Sequence, residues 1–112
     1  MAIRMTKAWI PLEAASIKKL PGQLGVYQLA NAEDEIVYIG FAGGRSLFGV
    51  RSEIERALKE KTAGATQFRV EINQQYTSRY QELLMVHVAD HGDVPSGNKG
   101  GPLPKLGRLS PL

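Results

Sequence analysis

Two tyrosines carry the first chemical signal in this chain. Tyr27 closes the tripeptide Gly25-Val26-Tyr27 and Tyr38 opens Tyr38-Ile39-Gly40, with ten residues between them. A phenol donates and accepts hydrogen bonds, and its ordinary pKa of about 10 lets it act as a base near neutrality only beside a cation. Two phenols at glycine-bearing strand ends form a candidate site; the competing reading is a cross-strand aromatic pair that only packs. His87 and His91 stand at i and i+4, a spacing of metal ligands on a helix, but position 88 is valine. The glutamate base of a His-Glu-x-x-His zinc hydrolase is therefore missing, and the pair reads as core or helix-end histidines. The loop Gly97-Asn98-Lys99-Gly100-Gly101 has backbone amides suited to a phosphate, yet it fits no Walker pattern and reads as part of a tail.

These residues need elements to hold them. Leu24 to Ala30 and Glu35 to Phe41 are rich in β-branched and aromatic residues, and the polar connector Asn31-Ala32-Glu33-Asp34 between them predicts a hairpin. Ile10 to Leu20, with Pro11 near its start and Pro21-Gly22 as its stop, reads as a first helix. After a glycine-rich loop, Leu47, Val50, Ile54, Ala57 and Leu58 recur at helical spacing and predict a helix over 47–60, capped by Ser46 or starting later at Ser52. Phe68, Val70 and Ile72 alternate with Gln67, Arg69 and Glu71, which predicts a half-buried strand within 66–73. Ser78 to His91 predicts another helix, apolar nearly all round from Leu83 to Ala89 and closed by Gly92. The order predicts an α+β fold (an α/β sandwich): a small central three-stranded, mainly antiparallel sheet flanked by helices.

Size and composition narrow the class. A chain of 112 residues makes one domain, with its core over about 20–98 and an irregular Pro/Gly/Lys/Ser tail over 99–112. There is no cysteine, which excludes disulfides and thiolate metal sites and fits a cytoplasmic protein. No apolar run approaches the roughly 20 residues of a membrane span, and the first residues lack the apolar core of a secretory signal. A net charge of +3 and a pI near 9.3 are compatible with a nucleic-acid partner without specifying one.

With these motifs placed, the chain resembles a GIY-YIG nuclease domain from about Leu20 to Asn98. Gly25-Val26-Tyr27 and Tyr38-Ile39-Gly40 match the two paired tripeptides of that family. Arg51 stands on the following helix, Glu82 in the first turns of the later helix, and Asn98 in a Pro-x-x-Asn element begun by Pro95. The loop before the arginine is longer than the family's, so either Arg51 or Arg45 matches it. The resemblance implies a metal-dependent endonuclease acting on DNA, with one Mg²⁺ or Mn²⁺ on Glu82. It implies Tyr27 as the base or orienter of the attacking water and Tyr38 as a hydrogen-bond donor. Arg51 would hold the scissile phosphate and Asn98 would brace the site. Arg45 and Lys99 come first among basic residues for backbone contact, ahead of Arg56, Arg69, Arg79, Lys105 and Arg108.

Each residue also has an ordinary structural role open to it. Arg51 can pair with Glu55, Glu82 with Arg79, and Asn98 can be a turn residue. Two other functions compete with the nuclease: a nucleic-acid-binding module that kept the fold without turnover, and a protein-interaction domain. A lone domain has little surface for base readout, so low sequence specificity, a homodimer or a targeting partner is expected.

Overall fold

The computed structural model describes residues 4–44 and 46–99. Its elements are β1 (Ile10–Pro11), α1 (Ala14–Ile17), β2 (Gly25–Ala30), β3 (Ile36–Ala42), α2 (Gly49–Glu60), β4 (Gln67–Ile72) and α3 (Tyr76–His91), with 3-10 turns at Thr62–Gly64 and Ser96–Asn98. The predicted hairpin is β2–β3. Asn31 builds its turn: its Oδ1 accepts the backbone N–H groups of Glu33 and Glu35, both at 3.0 Å, while Asp34 takes a left-handed φ of 63°.

All strands pair antiparallel, in the order β1-β4-β2-β3. Among the described residues the sheet thus has four strands rather than the expected three. The extra one comes from residues expected to begin the first helix. Proline disfavours helical backbone at the residue before it, so Ile10 is extended and opposes Phe68. Pro11 has no N–H to give a further neighbour, which suits an outermost strand. Leu12 then donates to the Thr66 carbonyl at 3.0 Å, and the helix that follows shrinks to a single turn.

β2 is central and buried along its whole length. One face carries Tyr27 and Leu29, which join Phe68 of β4 in a core closed by Ile17, Ile54 and Ala57 of α1 and α2. The other face carries Val26, which joins Ile39 of β3 against Tyr80, Leu83 and Leu84 of α3. The sheet is therefore the middle of three layers, and each fully buried Leu, Ile, Val or Phe contributes roughly 1.5–3 kcal/mol. Contrary to the all-round apolar reading, α3 leaves Ala89 exposed. It ends as expected at Gly92, with φ of 84° and its N–H on the Val88 carbonyl at 2.7 Å. No helix among the described residues is long and apolar enough to cross a membrane. The tail beyond Lys99, including Lys105 and Arg108, and the loop residue Arg45 lie outside the described residues.

Candidate functional site

Strand register decides where the two tyrosines go. Tyr27 opposes Gly40, and Leu29 opposes Tyr38, so both phenols stand on the α2 side of the sheet. Their ring centroids are 5.9 Å apart. Gly40 makes this possible: a Cβ there would lie 2.4 Å from both Cζ and the hydroxyl oxygen of Tyr27. The glycine lets the Tyr27 ring lie across β3 and reach the open edge of the sheet.

At that edge is a pocket of about 320 Å³, lined by Tyr27, Tyr38, Gly40, Phe41, Glu53, Arg56, Tyr80, Gly97 and Asn98. α2 supplies its charges. Glu53 accepts from Arg56 Nη2 at 2.6 Å, from Ser46 Oγ at 3.0 Å, and from the Tyr27 hydroxyl at 3.4 Å. The Glu53 side chain is only 14% exposed, whereas that of Arg56 is 57% exposed and opens the pocket to solvent. From the α3 side come Tyr80 and Phe41; their centroids are 4.9 Å apart, and Phe41 also stacks on Tyr76 at 5.5 Å.

Asn98 closes the pocket from behind. Its Nδ2 donates to the Ile39 carbonyl and its Oδ1 accepts the Ile39 N–H, both at 2.9 Å, so a side-chain amide pairs with the outer edge of β3 as a strand would. Gly97 sits close in: a Cβ would fall 2.5 Å from the Val37 carbonyl oxygen and 3.2 Å from the Tyr38 ring.

Burial, then the neighbouring Tyr38 and Glu53, push the Tyr27 phenol pKa far above its ordinary value, and Arg56 only partly opposes them. In this arrangement Tyr27 is a neutral donor; base action needs an added cation. Burial works against the charge on Arg56, but Glu53 and Tyr27 outweigh it and raise its pKa.

Of the residues singled out in sequence, Tyr27, Tyr38 and Asn98 meet at this pocket. Arg51 does not line it. Its guanidinium lies over the Phe48 ring at 5.4 Å, with Nε 3.8 Å from Glu55, and it borders a separate groove with Ile17, Lys18 and Leu58. Glu82 is likewise outside the lining, ion-paired with Arg79, whose Nε reaches Glu71 at 2.8 Å. Lys99 pairs with Asp93 at 3.1 Å. His87 and His91 contact each other with centroids at 4.4 Å, and among the described residues no group of three or more His, Cys, Asp or Glu is placed to hold a metal.

Glu53, Ser46 and Tyr80 were not singled out as site residues from the sequence, and Arg56 entered only as one basic residue among several. The available signal was the phase of α2. With Ile54 and Ala57 pointing into the core, Glu53 and Arg56 flank that buried stripe one turn apart. Residues 3–90 match a family described as a domain of unknown function, DUF7508, and the chain belongs to that family. No curated protein matches the chain.

Proposed function

We propose that this protein is a small metal-dependent endonuclease of the GIY-YIG type, with a nucleic-acid phosphodiester seated in the tyrosine pocket. The observation that carries this reading is the convergence of Tyr27 and Tyr38 on one cavity with the guanidinium of Arg56 and the carboxylate of Glu53. A planar guanidinium suits phosphate oxygens, and phenol hydroxyls add neutral donors to the same anion. In this reading Arg56 takes the part the family resemblance gave to Arg51, and Glu53 the part it gave to Glu82.

The donor set fits a hard divalent cation in type. Glu53 offers carboxylate oxygens at the pocket, and Mg²⁺ is commonly held by one or two carboxylates with water and substrate phosphate completing its shell. When bound there, such an ion would supply Lewis-acid charge stabilisation. The chain's own residues would do the rest. Arg56 would move from Glu53 onto the phosphate, Tyr38 would donate a hydrogen bond to it, and Tyr27 would orient the attacking water. To act as base, Tyr27 would first give its phenol proton to solvent beside the added positive charge. It would then take the water's proton as the new P–O bond forms and the leaving oxygen departs, to be protonated by solvent. Asn98 would keep β3 and the tyrosines in register.

Nicking of supercoiled DNA with Mg²⁺ or Mn²⁺ tests this. Tyr27→Phe, Arg56→Ala and Glu53→Ala are each expected to lower the rate by about 100-fold or more, a typical loss for a proton-transfer or charge-stabilising group. Arg51→Ala and Glu82→Ala are expected to stay close to wild type. Loss in the second pair but not the first would overturn this site assignment. One observation favours a second reading: Glu53 is engaged by three partners, Arg56 among them, as a site that binds without turnover would keep it. Salt-sensitive DNA binding by wild type without any nicking would select that reading.

A further inference from the structure

We infer that the strand held in the tyrosine pocket is single-stranded and that Phe41 is the platform for one of its bases. This rests on the phosphodiester reading of that pocket and adds its substrate class. Phe41 is 40% exposed, although it follows directly on Gly40 in a strand whose Ile39 is wholly buried. Its ring is not loose. Tyr76 stacks on it with planes 16° apart, and Tyr80 meets it at 56°. A ring backed in this way presents its remaining surface in one fixed orientation, so little conformational freedom is lost when a flat ligand settles on it.

The setting names the ligand. Phe41 borders the same pocket as Arg56 and the two phenols, so an aromatic surface and an anion-binding group face one cavity. A nucleotide presents that pair of features: a flat base joined to a phosphate. In a duplex both faces of each internal base are covered by stacked neighbours, so only an unpaired or terminal base has a face to offer. The cavity, about 320 Å³, is near the lower limit of the roughly 300–1,000 Å³ of ligand pockets. Every base has a π-face, so the contact is tolerant of sequence.

Binding is measured by fluorescence anisotropy in EDTA, which separates it from cleavage. The probes are a labelled oligothymidylate, the matching oligouridylate, and a blunt linear duplex without a loop, long enough that its terminal pairs are a small share of its bases, each against wild type, Phe41→Ala and Phe41→Tyr. Wild type is expected to bind the single strands about tenfold or more tighter than the duplex. Phe41→Ala is expected to lose about tenfold on single strands with little change on duplex, and Phe41→Tyr, which keeps the ring, to retain binding. The two single strands distinguish DNA from RNA as the source of the base. Equal loss on single strand and duplex in Phe41→Ala, or a wild type that prefers duplex, overturns the inference. Metal-dependent nicking with a duplex preference would overturn this inference alone. A single-strand preference with no metal-dependent cleavage of either the single strands or supercoiled DNA would support it while the nuclease reading fails. Absence of binding to all three probes would overturn this inference, and absence of metal-dependent nicking as well would remove both.

Discussion

A single missing side chain decides the shape of the site. At Gly40 any Cβ would collide with the Tyr27 ring, and neither can move easily, because Tyr27 is 2% exposed and the strand is paired along its length. Gly40→Ala is therefore expected to destabilise the fold by about 1–3 kcal/mol, as overpacking of a filled site does. The same substitution in a Tyr27→Ala background removes the clash and should cost far less. Urea unfolding of the four proteins in that cycle isolates the coupling; purely additive effects would show that the glycine serves something other than the tyrosine. The closeness of the two tyrosines was legible in the sequence, because two such strands joined by a polar connector form a hairpin. That Gly40 stands opposite Tyr27 was not, since the register shifts between Leu29 and Ala30. The chemistry around it was less so, since the burial that keeps Tyr27 protonated depends on what lies over the ring.

Among the elements, α2 shows where sequence reading stops. Its apolar positions were recognised from spacing, and the helix forms over Gly49–Glu60 against the expected 47–60. Which arginine faces the tyrosines depends on how the helix is seated. Arg51 and Arg56 are five residues apart and so point about 140° from each other. Seating is fixed by a long-range contact that no local pattern reveals: Gly49 has φ of 57° and room for no Cβ against Gln23, and the Val50 N–H donates to the Gln23 carbonyl at 2.8 Å. The start of α3 is tied down by charge instead. Arg79 grips Glu71 of β4 through two bonds, at 2.8 and 3.0 Å. Burial pushes the Glu71 pKa upward, but the bonds from Arg79 and Asn73 outweigh it and hold the group below its ordinary value. The stabilisation is complete above the ordinary carboxylate range and is lost as pH falls through the depressed folded value. Glu71→Gln is expected to cost about 1–3 kcal/mol near pH 7, and its gap from wild type should narrow toward about pH 3 in urea unfolding. A gap that stays constant with pH would show that packing, not charge, sets the cost.

For the whole molecule, the four-stranded order leaves two outer strands, and each is handled differently. β1 has only two residues, one of them proline. β3 is seven residues long, and the side-chain amide of Asn98 occupies the backbone of Ile39 near its middle. The fourth strand escaped the sequence reading because two residues give no alternation to detect; the Asn98 contact escaped it because its partner is 59 positions away. That amide works as a stopper as well as a brace. An unblocked strand edge is a template for another chain, and natural sheets suppress such growth with charges, prolines, bulges or covers. Asn98→Ala should therefore do more than loosen the pocket: light scattering during mild heating should show self-association at temperatures where wild type stays dispersed. Unchanged scattering with an unchanged melting temperature would mean that the edge is guarded by something else. If the stopper works as described, the residue that keeps the tyrosines in place is also what keeps one copy of this protein from recruiting the next into a growing fibril.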